Sequence, residues 1–534
     1  MKSSKFVFGA CLFFVMASLL PAQNAENAVY DGEIVFSASA LSDEKTPFFG
    51  GWTGEWNERK HPFVALTGAL GFNVLLATWN RYMIGSNWAK TGWDEWNHFW
   101  EREMSWDRDW YWTNFFLHPY QGSMYYMASR GSNLNQLESF LITSLGSYIW
   151  EYLCETNAPS KNDMVFTSVG SFAVGEMFYR LSIEAEEINS LLKIAINPQR
   201  LWTEYLWGIK PKRTGGHIHS LSLGVDIGNV NAGVHLKDKK YEYPEHETFP
   251  LFGMVEFKVE YNDPYRHDSN RPYDQFTLEV QGGIGKGSGK GSYCAYEDVD
   301  EKLFYDIRIL SDGMFFAREL DLGQNVDTSV GAVMLYDFDW QSLYVFSSLA
   351  PGFAFKQRFN GEDRAFEWQA MLAGILLGNT DFYYYQRKVI PEPDGVSCGY
   401  NETVGFESVL KLKYATENGF ACGLDFRGYA MYDFKNQLQS FCSTGWEFFG
   451  LLSASVEVPV SKKVRIGVRD ELFGKFTRYN DTDTAGKNCP RRSITRRPLP
   501  KRRHITTMLF FTPHFAPCFV QSAIPETIPI NIAI

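Results

Sequence analysis

The chain has 534 residues, 16% of them aromatic, and a formal net charge of -11. That length exceeds one ordinary core, so two domains, or a large barrel with a smaller domain, are expected. The negative balance disfavours nucleic acid as a partner, because a phosphate backbone needs a positive face, and the slightly negative mean hydropathy argues against a multi-helix inner-membrane protein.

Residues 1–22 read as a secretory signal: Lys2 and Lys5 form a basic start, Phe6 to Leu20 an apolar run, and Pro21-Ala22 a plausible cleavage point. Cys11 lies inside the apolar run, which disfavours a lipoprotein-type cysteine. The cysteines beyond the signal, from Cys154 to Cys518, are scattered and form no C-x-x-C pair. Neither a disulfide framework nor a metal site is assigned to them, and no cofactor is expected. Residues 23–60 are polar and read as a flexible mature N-terminus.

A helical domain is predicted over 61–215. His61-Pro62 opens an apolar run to Ile84, with Pro suited to a first helical turn. It is expected as a buried helix, with a single transmembrane anchor as the alternative. Tryptophans crowd the stretch from Trp88 to Trp112, and Trp93, Trp96 and Trp100 share one helical face. That face suits either an interfacial belt or a packed aromatic surface. Further helices are predicted at about 119–129, 134–154 and 163–180. Leu134, Leu137, Leu141, Leu145 and Tyr148 have the spacing of a buried stripe, and Asn162-Asp163 offers a cap for the third helix. Frequent small residues, among them Gly122, Gly146 and Gly175, favour close helix packing.

After Gly215 the apolar period changes from three-and-four to two. Leu221, Leu223, Val225 and Ile227 alternate with Ser220, Ser222 and Asp226; Leu410 and Leu412 alternate with Lys411 and Lys413; Val464, Ile466 and Val468 alternate with Arg465 and Arg469. About twelve such segments fall in 216–479, each near the 9 to 11 residues of a tilted membrane strand. The fold class read from the residues is therefore α+β, an N-terminal helical domain followed by an antiparallel transmembrane β-barrel of about twelve strands. Its apolar face meets outer-membrane lipid. Lys411, Lys413, Asp425, Arg427, Arg465 and Arg469 line the lumen, where small polar solutes are possible partners. The Gly-rich stretch 282–292 fails as a phosphate loop, since neither Lys286 nor Lys290 precedes Ser or Thr. Residues 480–534 are atypical: a basic, Pro-rich run from Lys487 to Arg503 precedes an apolar tail, and a shifted reading frame is one explanation.

The pieces WDRDWYWTNFFLHPYQGSMYYMASRGSN, SYIWEYLCETNAPSKND and TSVGSFAVGE resemble the uncharacterised bacterial family called domain of unknown function 3943, over about residues 80 to 185. Ser129 stands where that family usually has Ala before the Arg. The resemblance implies an exported envelope protein with strand-rich sequence downstream, and it carries no established activity to transfer. The residues themselves give two readings. His118, Ser123 and Glu151 are the raw material of a base-activated nucleophile, or His118 with carboxylates that of a metal site, which makes an outer-membrane lipid hydrolase or acyltransferase the alternative function. Arg130, Glu151, Glu155, Asp163 and Glu176 equally suit an ionic network that braces the helices. The favoured expectation is an outer-membrane barrel of envelope transport or structure, with the helical domain at the periplasmic mouth or in the lumen.

Overall fold

The computed structural model describes residues 59–107, 109–210, 215–236, 246–286, 303–341, 344–381, 400–436, 445–461, 464–479 and 506–523. The expected signal, most of the expected N-terminal segment, the Gly-rich stretch beyond Lys286 and the basic run 487–503 lie outside the described residues.

The period-two segments form strands β1 (Ile218–Leu236), β2 (His246–Tyr261), β3 (Phe276–Lys286), β4 (Leu303–Glu319), β5 (Val326–Gln341), β6 (Val345–Asn360), β7 (Arg364–Asp381), β8 (Tyr400–Thr416), β9 (Ala421–Asn436), β10 (Gly445–Pro459), β11 (Val464–Tyr479) and β12 (Thr506–Ala523). Each pairs antiparallel with its neighbours in sequence, and β12 pairs with both β11 and β1 to close the barrel. The closing strand thus comes from the 480–534 stretch rather than from 216–479. Its register against β11 shifts between the pairs Arg465 with Phe519 and Gly467 with Ala516. Pro517 falls in that bulge, where a residue without an N–H costs the ladder nothing. One end of the barrel carries short turns, such as 361–363 and 417–420, and the other most of the long connections.

Alternation along each strand separates two surfaces. One is charged and crosses the barrel: Arg308 on β4 reaches Glu471 on β11 with two bonds of 2.8 Å, Arg427 on β9 reaches Asp337 on β5 at 2.9 Å, and Lys356 on β6 reaches Asp312 on β4 at 2.8 Å. Arg469 on β11 meets Asp226 on β1 and Glu256 on β2. Pairs between such distant strands can form only through the interior, so this is the lumen face. Lys411 (3.4 Å from Asp312) belongs to it, as do Lys413 beside Glu367 and Arg465 beside Glu457. Asp425 lies opposite Lys411 in the ladder and acts on the Arg427 charge. Buried apolar side chains, including Phe346, Tyr429, Phe449 and Phe473, fill the same interior. The opposite face is apolar and open on much of the wall, as at Phe353 (74% exposed), Leu372, Phe406, Phe426, Val456 and Val468.

The helical part begins with α1 (Pro62–Thr78), continued by a π turn to Ile84. Together they make 23 residues, about 35 Å at the α-helical rise. Then come α2 (Trp93–Asn97), α3 (His118–Gly131) after a π turn at Thr113–Leu117, and α4 (Gln136–Ile149) with a π turn at Trp150–Cys154. They are followed by α5 (Lys161–Val165), a π turn at Phe166–Gly170, α6 (Ser171–Ile188) and α7 (Ser190–Ile196). Asn135 and Glu138 close a capping box on α4. The cap of α5 is Ser160, two residues before the expected Asn162, because its side chain accepts from Asp163 N. Small residues do bring the helices together: a Cβ on Gly122 would collide with Ser171 and the Thr167 carbonyl, and one on Gly175 would sit 3.0 Å from Tyr126 Cβ.

This bundle does not sit at the mouth or in the lumen, as the sequence-based reading expected. It packs on the outer wall. Tyr336, Phe338 and Trp340 are one residue out of phase with the lumen residues Asp337 and Asp339, and they are the ones the helices cover. Tyr111 stacks on Phe338 with ring centroids 5.5 Å apart, Trp112 lies over Trp340, and Phe172 meets Tyr273 and Phe315. Leu221, Val259, Leu278, Ser311, Tyr336, Leu349 and Leu377 form one register row across β1 to β7. Six of them, Ser311 excepted, join the core that includes Phe115, Phe166, Phe172 and Met177 of the bundle. Hydrogen bonds fix the seam: Tyr336 Oη donates to Phe115 O at 2.7 Å and Tyr400 Oη to Asp109 O at 2.9 Å.

The layering turns α1 and α4 outward. Leu137, Leu141 (58% exposed), Leu145 and Tyr148 were expected to be buried, yet they face out while Ser139, Thr143 and Ser147 face in. Likewise α1 buries Val64, Gly68, Ala69 and Asn73 and exposes Phe63, Val74 and Leu75, and its π turn exposes Met83. The bundle interior thus mixes polar and ionic groups with apolar ones, while the outward faces of α1 and α4 are largely apolar. Among the described residues, α1 with its π turn is the helix long and apolar enough to cross a membrane.

Candidate functional site: two buried ionic clusters

The sequence-based set of His118, Arg130, Glu151, Glu155, Asp163 and Glu176 divides into two groups. The first lies toward the short-turn end. Glu176 on α6 accepts from Arg130 Nε at 2.7 Å and from Arg180 Nε at 2.9 Å, and Tyr126 Oη donates to it at 3.0 Å. Arg130 also donates to Leu134 O, which ends α3. Arg180 continues to Asp274 and to Pro272 O in the β2–β3 connection, tying the bundle to the barrel. Two guanidiniums face two carboxylates, and the spare donors meet carbonyls, so the charge is compensated on the spot. Arg180 was not singled out from sequence, although its i,i+4 spacing from Glu176 was visible there.

The second group lies toward the long-loop end. His118 is the first residue of α3, Glu151 sits in the π turn after α4, and Asp163 lies on α5; one ligand atom from each falls within 4.8 Å of the others. His118 Nδ1 is 3.2 Å from Thr167 Oγ1, and its Nε2 is 3.7 Å from Asp163 Oδ2. Glu151 Oε2 accepts from Ser160 N at 2.8 Å, while its Oε1 is buried with no hydrogen-bond partner among the described residues. Ser160 donates to Asn162 Oδ1, and Asn162 donates to Asp163 Oδ1 at 3.1 Å. Asp107 N also donates to Asn162 Oδ1. Short backbone ties from Ser105 to Pro159 and Lys161 hold these two strands of chain together.

The charge here is one-sided. Asp107, Asp109 and Glu155 add carboxylates around Glu151, and Arg102 is the cation that faces it. Burial pushes the Asp109 carboxyl up to about 7, with Asp107 adding to the effect. Burial likewise raises Glu155 well above the usual carboxylate range, the Glu151 charge coming second. Each arm of the group adjoins a π turn, at Thr113–Leu117, Trp150–Cys154 and Phe166–Gly170. Such wide turns re-aim side chains and recur at functional sites. Ser123 is not part of it: its hydroxyl donates to Tyr120 O at 2.6 Å, within its own helix. Thr167 was not anticipated, since nothing in linear spacing joins it to His118, and Asn162 was expected only as a helix cap.

Comparison with known proteins yields no match among curated proteins. Among solved structures, a Pseudomonas aeruginosa FadL homologue is similar at 8% identity over 57% of this chain and 90% of its own, with a TM-score of 0.23. The Pseudomonas putida toluene transporter TodX is similar at 6% identity, over 57% and 90%, with a TM-score of 0.21. Outer membrane phospholipase A from Escherichia coli is similar at 9% identity, over 54% and 95%, with a TM-score of 0.21. The family model for the domain of unknown function 3943 matches residues 103–200, the part of the bundle that carries both ionic clusters.

Proposed function

We propose that the protein is an outer-membrane barrel that acts as a sealed scaffold, carrying the helical bundle beside it in the bilayer. The observation that supports this best is the direction of polarity. Ionic side chains point into the lumen and into the bundle interior, while apolar ones cover the open wall, α1 and α4. Water on the outside would leave that apolar surface exposed at a cost of roughly 25 cal/mol per Å²; lipid removes the cost. Trp93 (74% exposed), Trp96 and Trp100 fit an interfacial belt at the long-loop end, where Trp106 packs on Phe434.

The interior argues for structure over open transport. Arg308 to Glu471, Arg427 to Asp337 and Lys356 to Asp312 span the lumen, and ring stacks such as Tyr344 on Phe473, 3.6 Å between centroids, fill the space between. The hydrolase alternative has no comparable support, because the Ser123 hydroxyl donates to Tyr120 O and the His118 ring pairs with Thr167. Membrane fractionation combined with planar-bilayer recording tests the proposal. Recovery from detergent-extracted outer membranes with no steady conductance is expected; recovery in the soluble periplasm, or stepwise conductance of the intact protein, contradicts it.

A further inference from the structure

We infer that His118, Glu151 and Asp163 form a binding site for one divalent transition-metal cation, held by the helical bundle at its long-loop end. The inference goes beyond the scaffold reading and does not depend on it. Three arms of the bundle converge there, and the donor atoms lie within 4.8 Å of one another. Donors around a four-coordinate zinc ion, at about 2.0–2.1 Å each, sit roughly 3.3 Å apart. Closing the set on an ion therefore needs only side-chain adjustment.

Two observations independent of that proximity point to a ligand. Glu151 is 1% exposed, and its Oε1 has no hydrogen-bond partner among the described residues. A buried carboxylate oxygen is costly to leave in that state, and an ion is the partner that also answers the one-sided charge of Asp107, Asp109 and Glu155 around it. The second is the orientation of the imidazole. Thr167 Oγ1 holds Nδ1, so with the proton on Nδ1 the Nε2 lone pair faces Asp163. A hydrogen-bonded far nitrogen is the usual support of a metal-bound histidine. Ser160 N steadies the other Glu151 oxygen, and Asn162 steadies the other Asp163 oxygen.

The donor set gives the class of ion. One imidazole with two carboxylates suits zinc or its first-row neighbours, whereas magnesium and calcium take oxygen donors. Three protein ligands leave a fourth position open to water or to a ligand oxygen.

The test uses the full chain in detergent, stripped with a chelator and titrated with Zn²⁺ alone. About one Zn²⁺ per chain is expected to survive dialysis, and Co²⁺ in its place should give the visible absorption of a four-coordinate site. Glu151→Gln keeps the acceptor for Ser160 and removes the charge, so it should fold and bind Zn²⁺ at least 100-fold more weakly. Thr167→Val removes only the hydroxyl behind the ring and should weaken binding by 10- to 100-fold, while Glu457→Gln, on the barrel, should leave it unchanged. Retention of Zn²⁺ by fewer than about one chain in ten overturns the site. So does affinity in both Glu151→Gln and Thr167→Val equal to that of the unaltered chain. Mg²⁺ or Ca²⁺ binding as tightly as Zn²⁺ overturns the assignment of its class.

Discussion

The bundle holds two buried ionic clusters, one with its charge compensated and one with carboxylates in excess. Around Glu176, two guanidiniums and a tyrosine hydroxyl meet the carboxylate directly, and the second guanidinium passes on to Asp274. Around Glu151, carboxylates gather with one imidazole and one facing arginine, and a buried oxygen is left over. Burial alone therefore does not separate a brace from a binding site. What separates them is whether the protein's own groups complete the charge.

The comparison can be broken most decisively at the braced cluster. Glu176→Ala leaves Arg130 and Arg180 buried without their shared carboxylate, and a loss of about 3–5 kcal/mol is expected, read as a fall in the unfolding temperature and loss of heat-modifiable migration. Unchanged stability would remove the distinction. At the seam between bundle and wall, Phe172→Ala should cost about 3 kcal/mol, toward the lower end for a buried phenylalanine, and should expose the bundle to protease while the strands stay protected. In chelator, Glu151→Gln should be neutral or stabilising by about 1 kcal/mol, since a buried charge disappears; destabilisation there would mean that the second cluster is a brace too. The smallest effect is expected at Leu141→Cys, within about 0.5 kcal/mol. A nitroxide attached at that position should nonetheless be more accessible to oxygen than to a water-soluble nickel chelate.

Much of the barrel was legible because a two-residue period survives any tertiary arrangement. Lys411, Arg427 and Arg469 alternate with Leu410, Phe426 and Val468 in sequence as they do in space. The same period could not tell which apolar residues meet lipid and which meet protein. Tyr336 and Phe338 have the phase of Phe426, yet helices cover them, and only pairing across more than 200 positions decides this. The stripe Leu137, Leu141 and Leu145 shows the companion difficulty: periodicity marks a face without naming the solvent beyond it. In the candidate site the individual residues were visible as unusual. Their division into two clusters was not, because it depends on helices that pair Arg130 with Glu176 and His118 with Asp163 across 46 and 45 positions.

The register row from Leu221 to Leu377 also sets an order of events. The helices precede every strand in the chain, yet their docking surface exists only once β1 to β7 lie side by side, and the Tyr400 bond to Asp109 joins positions 291 apart. Contacts of such sequence separation form late, because the chain between them must first be ordered. Helices synthesised before the strands are thus secured only after them, and unfinished strands leave the bundle without its wall.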